Sequence, residues 1–259
     1  MAIPIRGMDA RFKTERSGPR SFFFQATKER LHQTEKGSKM SIITISRGSY
    51  NRGKDVAEKL AQKLGYECIS REILLEASAE YNVPEIKLIR AIQDAPSILQ
   101  RLTHQKEKYI NYIRAALLKH VQKDNVVYHG LFGHFFLQDI SHILKVRIVG
   151  DLEDRVEDEV KREGISAEKA RETILRDDEE RRKWASSLYG ADSWDATLYD
   201  LVIHLKTITV DDAVRLIIQA LQLPGFQTTS ESQGAIDSLV EATRLETAAV
   251  WWQGSNQHE

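Results

Sequence analysis

Chemistry along this chain is concentrated in two stretches. In the first, Gly48 and Gly53 bracket a short segment, with Lys54 and Asp55 directly after it. The spacing Gly-x4-Gly-Lys is that of a loop whose backbone N–H groups turn inward on an anion, with the lysine ammonium near the outer oxygens. Ser49, Asn51 and Arg52 fill that loop, and Asp55 stands where such loops carry a hydroxyl for Mg2+. A carboxylate binds a hard cation well but repels phosphate at close range. As a bare pattern, the segment is compatible with a nucleotide loop and with an ordinary Gly-rich turn from strand to helix.

The second stretch runs from Ser166 to Trp184. Arg171, Arg176, Arg181, Arg182 and Lys183 alternate there with Glu172, Asp177, Asp178, Glu179 and Glu180. Such a run is either a solvated helix face laced by i,i+4 pairs or a lid whose arginines close onto transferring phosphates. Arg71 and Glu72 fall at the carboxyl end of a short strand, where α/β sheets bind ligands. His129 and His134 have no cysteine or third histidine nearby at ligand spacing, so a metal pair is disfavoured. Gly130 and Gly133 between them mark a close approach of backbone to ligand or helix.

The elements that must position these residues alternate. Strands are expected at Ile42 to Ser46, Tyr66 to Ile69, Val126 to Tyr128, Leu144 to Val149 and Tyr199 to Leu205. Helices are expected from Val56 to Leu64, ended by Gly65, and after Ser70 as cap, with Ile73, Leu74 and Ala77 inward. Others start at Asn82-Val83-Pro84, run from Gln105 to Gln122, follow Asp151 to about Glu163, and follow Thr209 to Leu223. That alternation predicts a parallel sheet covered by helices on both faces. Residues 1–39 read as a basic, disordered leader, 40–224 as the domain, and 225–259 as a tail with a short amphipathic helix. Trp251 and Trp252 in the tail suggest contact with a protein partner or packing on the chain's own domain.

Composition narrows the classes. The chain has 259 residues, 41% hydrophobic, with no apolar run long enough to span a bilayer. A formal net charge of −1 argues against a general nucleic-acid binder. Cys68 is the only cysteine, which removes intrachain disulfides and cysteine-based metal clusters and fits a small core residue in a cytoplasmic protein.

Taken in order, the pieces resemble the cytidylate kinase-like branch of the P-loop nucleoside monophosphate kinases, from about Met40 to Leu223. They are Thr44-Ile45-Ser46-Arg47 before the Gly-rich loop, Ser70-Arg71-Glu72-Ile73-Leu74, and the strand ending in His129-Gly130. Lys145-Val146-Arg147-Ile148-Val149 with Asp154-Arg155 follows, then Asp178-Glu179-Glu180-Arg181-Arg182-Lys183-Trp184. Trp194-Asp195 and Tyr199-Asp200-Leu201-Val202-Ile203 close the series. The resemblance implies a three-layer P-loop kinase fold with a helical lid and a helical acceptor-side insertion. It implies transfer of the γ-phosphoryl of ATP to CMP, dCMP or a related small acceptor, with Mg2+. On that resemblance, Gly48 to Lys54 hold the ATP phosphates, Arg181 closes from the lid with Arg182 or Arg176, Asp178 orients a lid arginine or contacts the acceptor, and Arg71 takes the acceptor phosphate. Asp55 then becomes the candidate Mg2+ ligand. Departures at Asp55, Ser70, Leu131 and His204 leave an alternative: a nucleotide-binding regulatory protein on the same fold that has lost turnover.

Overall fold

The computed structural model describes residues 41–47, 50–93, 105–130, 133–138 and 140–255, with backbone alone at 47, 50, 51, 93, 105 and 249–255. Gly48, Ser49, Leu131 and the leader expected over 1–39 lie outside the described residues.

Five parallel strands form one sheet in the order β2-β3-β1-β4-β5. They are β1 (Ile42–Arg47), β2 (Glu67–Ile69), β3 (Val126–His129), β4 (Ile143–Val149) and β5 (Leu201–His204). Central β1 pairs Ile43 with Val127 on one side and with Leu144 on the other. Because side chains alternate along a strand, Ile42, Val126, Tyr128 and Ile143 enter one core, and Ile43, Ile45, Val127, Leu144, Val146 and Ile148 enter the other. Both faces of the β-branched run are therefore buried, as a doubly covered parallel sheet requires.

Helices α1 (Tyr50–Leu64) and α8 (Val210–Ala220) cover the second face. Thr209 begins α8 with a full capping box, its hydroxyl accepting from the Asp212 N–H while the Asp212 carboxylate accepts from the Thr209 N–H. The first face is covered by α2 (Glu72–Tyr81), α3 (Glu85–Gln93) and α4 (Gln105–Val121). The short α5 (Gly133–Phe136) follows β3, and the Tyr128 ring packs so closely over Gly130 and Gly133 that a Cβ at either would overlap it. Ser70 does not cap α2 with its side chain. Arg71 holds the cap position, and the Ser70 N–H donates to the Glu72 carboxylate at 2.7 Å.

Two elements run longer than their sequence periodicity suggests. Helix α1 starts at Tyr50 rather than Val56. Gly53 costs about 1 kcal/mol inside a helix, but it is buried there, and α1 packs against the sheet through Val56, Ala57 and Leu60. The tail helix, α9 (Ser230–Ser255), has 26 residues rather than a short span. Its Ile236 is fully buried in the same core as Leu88, Tyr112 and Trp184, which supplies the packing that an isolated helix with Gly234 near its start would lack. Trp251 and Trp252 belong to α9, but their side chains lie outside the described residues.

A histidine clasps this face together. His120 on α4 lies 3.1 Å from the Glu67 carboxylate of β2 through Nδ1 and 2.9 Å from the Glu76 carboxylate of α2 through Nε2. Burial alone would push its pKa down, but the hydrogen bonds to Glu76 and Glu67 outweigh it and raise the value above 6.5. The stabilisation is complete below the unfolded value of about 6.5 and is lost as pH rises through the raised folded value. In urea titrations at several pH values, His120→Gln is expected to flatten the loss of stability above pH ~6.5. Ile236→Ala is expected to cost about 2–5 kcal/mol in the same measurement.

Candidate active site

Helices α6 (Leu152–Glu163) and α7 (Ala167–Tyr189) form a hairpin with a small core of its own: Val156, Ala170 and Ile174. The Ser166 hydroxyl caps α7, accepting from the Lys169 N–H, and Gly164 closes α6 at φ 67°. The far end of α7 is anchored differently. Trp184 is fully buried in the sheet-side core, and its Nε1 donates to the Ala91 carbonyl at 2.8 Å. Helix α7 thus has one half in a satellite core and the other in the main core.

At the carboxyl ends of β1 and β4, this hairpin faces the start of α1 across a cleft of about 190 Å³. Its lining includes Arg52 and Gly53 from α1, Arg147 from β4, Arg155 and Asp178 from the hairpin, and Trp194. The first-turn amides of α1 have no partners within the helix and carry its positive dipole end, so the site favours anions before any side chain is counted.

The arginines are held in place. Asp178, only 7% exposed, accepts two hydrogen bonds from Arg155, at 2.7 and 2.9 Å. Arg181, one turn further along α7, has Nη1 at 3.6 Å from the same carboxylate. Arg155 Nε is buried and has no hydrogen-bond partner among the described residues. Arg52 reaches the Asp158 carboxylate at 3.2 Å and Asp154 at 3.8 Å.

Arg147 donates to the Ser193 carbonyl and, at 3.1 Å, to the Tyr199 hydroxyl. Tyr199 in turn donates to the Ser193 carbonyl at 2.9 Å, so His134 Nε2, 3.2 Å from the same hydroxyl, is best placed as a donor in the neutral tautomer. Burial, then the charges of Arg147 and Lys145, hold the His134 pKa down at about 3.

The residues expected from the sequence divide into three groups. Asp178, Arg181, Arg52 and Gly53 are brought to the cleft or its wall. Lys54 and Asp55 are not among the cleft-lining residues. Since α1 begins at Tyr50, Lys54 is fixed on a helix face, where it pairs with Glu58 at 3.4 Å. Arg182 points outward, bound to Asp192 at 2.9 and 3.2 Å, and Arg71 reaches Glu85 at 2.7 Å. Asn51 lies in the first turn of α1, and Gly48 and Ser49 fall outside the described residues.

Arg155 and Arg147 are the site residues that the sequence reading did not assign. A signal existed for Arg147: together with Lys145 it puts charge into a strand whose other members are apolar. Asp151, expected as a helix cap, holds that position but gives its carboxylate to His204 at 2.9 Å and to Lys206.

Among the described residues there is no group of three histidine, cysteine or acidic side chains that could hold a metal ion. No helix among them is long and apolar enough to cross a membrane.

Residues 42–207 match the model of the cytidylate kinase-like family. A cytidylate kinase of Archaeoglobus fulgidus is 29% identical over 184 residues, covering 70% of this chain and 94% of that protein. One from Ignicoccus hospitalis is 27% identical over 184 residues, covering 70% and 99%. Among solved structures, an uncharacterized protein from Eubacterium ventriosum shares the fold, with a TM-score of 0.53 and 22% identity, covering 71% of this chain and 98% of that one. The chain belongs to the cytidylate kinase-like family.

Two outcomes follow from the geometry. Removing one partner of a buried ion pair strands the other charge, so Asp178→Ala is expected to lose about 3–5 kcal/mol in chemical denaturation. His134, neutral in the fold with a pKa near 3 against 6.5, favours the folded state above pH 6.5 and opposes it as pH falls from there toward 3. Acid titration of His134→Gln should show a shallower loss of stability over that window.

Proposed function

We propose that this member of the cytidylate kinase-like family is an ATP-dependent nucleoside monophosphate kinase with CMP or dCMP as acceptor. The observation that carries the reading is the cluster of guanidinium groups at one cleft. Arg52, Arg147 and Arg155 line it together, and Asp178 holds Arg155 in place through its two terminal nitrogens. A phosphoryl group is the anion that such a cluster of donors fits.

Phosphoryl transfer asks the protein mainly for positioning and for positive charge around the moving group. The amides at the start of α1, including Asn51 and Gly53, and those of Gly48 and Ser49 before it, cradle the ATP phosphates. Arg52 and Arg147 line the walls. Arg155 and Arg181 meet the transferring group from the lid, with Asp178 as their positioning residue.

Lys54 reaches the outer phosphates by leaving Glu58. Both partners are about half exposed, and such a pair is worth only about 0.3–0.5 kcal/mol. Arg71 serves the acceptor phosphate at the end of β2 by exchanging Glu85 for it. Arg182 closes the outer rim of the lid.

Asp55 suits Mg2+. Burial, then the neighbouring Glu58 and, more weakly, Asp158, raise its pKa against the opposing pull of Lys54, and a carboxylate in an acidic neighbourhood is eased by a cation. Asp55 would offer the ion a single carboxylate from α1, outside the cleft lining. When bound, Mg2+ neutralises developing charge on the phosphates.

The acceptor class comes from the relatives bearing the name cytidylate kinase. A lone cysteine and a near-neutral charge fit a cytoplasmic enzyme with nucleotide substrates and no nucleic-acid partner. Among the described residues nothing supports a protein contact through the tail. The pairing of Lys54 along its own helix favours one second reading: a nucleotide-binding regulator without turnover.

A coupled ADP-release assay with ATP, Mg2+ and CMP, dCMP, UMP or AMP separates the two. Turnover with a cytidine nucleotide is expected, falling about a hundredfold or more in Lys54→Ala and in Arg155→Ala. ATP binding without turnover on any acceptor would establish the regulator instead.

A further inference from the structure

Two tryptophans, one inside α7 and one just beyond its end, are in opposite states. Trp184 is fully buried with its indole N–H bonded. Trp194, ten residues on, is 53% exposed at the rim of the arginine-lined cleft. An exposed indole is expensive as packing and useful as a contact surface.

The segment that carries it is pinned at three points. Asp192 accepts the Trp194 N–H at 2.9 Å, the Ser193 carbonyl accepts from Tyr199 and Arg147, and Asp195 accepts the Thr197 N–H at 2.8 Å. The backbone on either side of the ring is thus tied down, while about half of Trp194 stays exposed. Two guanidinium groups stand over it, Arg182 at 5.2 Å and Arg147 at 6.0 Å from the centroid. Arg182 is itself exposed and bound to Asp192, so it frames the ring without sealing it.

We infer that Trp194 is the stacking platform for the base of a nucleoside phosphate whose phosphates lie among Arg52, Arg147 and Arg155. A rigid indole beside fixed cations matches a ligand with a planar π-face at one end and anionic oxygens at the other. The inference rests on the nucleotide reading of the cleft and adds to it the residue that grips the base. The base belongs to the acceptor or to ATP, since both offer the same chemistry.

Isothermal titration of the full chain with CMP, ATP and ribose 5-phosphate, on wild type, Trp194→Ala and Trp194→Phe, tests it. Trp194→Ala should weaken one nucleotide about tenfold, leave ribose 5-phosphate unchanged, and be largely rescued by Trp194→Phe. The affected nucleotide, CMP or ATP, names which base stacks. Unchanged affinity for both nucleotides overturns the platform. An equal loss for ribose 5-phosphate also overturns it, because the indole then only props its loop. If wild type binds neither nucleotide, the reading of the cleft itself fails, and the platform falls with it.

Discussion

The site depends on one buried carboxylate. Arginines aimed at a cleft repel each other, and a guanidinium stripped of water must find an anion or draw away. Asp178 resolves both problems at once, binding Arg155 with two hydrogen bonds and standing 3.6 Å from Arg181. Because Arg155 is on α6 and Asp178 on α7, the same contact closes the hairpin at the point where its small apolar core ends. Charge placement and the closing of the hairpin thus share one interaction.

The sheet supplies the frame that gives this interaction a direction. With β1 central, α1 begins beside the carboxyl end of β4, and the hairpin follows β4 directly. The helix dipole of α1 and the arginines of the hairpin therefore address the same space. Tyr199 ties the remaining wall together, receiving Arg147 and His134 and donating to Ser193. His134 stays neutral within that knot, which keeps a further charge from competing with Arg147. The tail helix α9 adds its Ile236 to the core that covers the opposite face. It lies beyond residues 42–207, the part that matches the family.

Much of this architecture was legible in the sequence, because burial on two faces leaves β-branched runs and capping leaves Thr209 in its place. The resemblance to a family brought Asp178 and Arg181 into view. Arg155 was harder. Its partner lies 23 residues away on another helix, and no local spacing encodes a contact that only hairpin packing creates. The start of α1 was read as loop because of the Gly-x4-Gly-Lys spacing, and the helix forms there although Gly53 has poor helix propensity. The length of α9 was hidden for the same reason, since its stability comes from the helices it packs against.

The central proposal is that Arg155 stands where a phosphoryl group passes from ATP to a cytidine nucleotide. Calorimetric titration with a dinucleotide inhibitor joining cytidine and adenosine through a phosphate chain tests this directly. The account predicts binding tighter than ATP or CMP alone, lost by about a hundredfold in Arg155→Ala. Binding no tighter than ATP alone, or indifferent to Arg155, would contradict it.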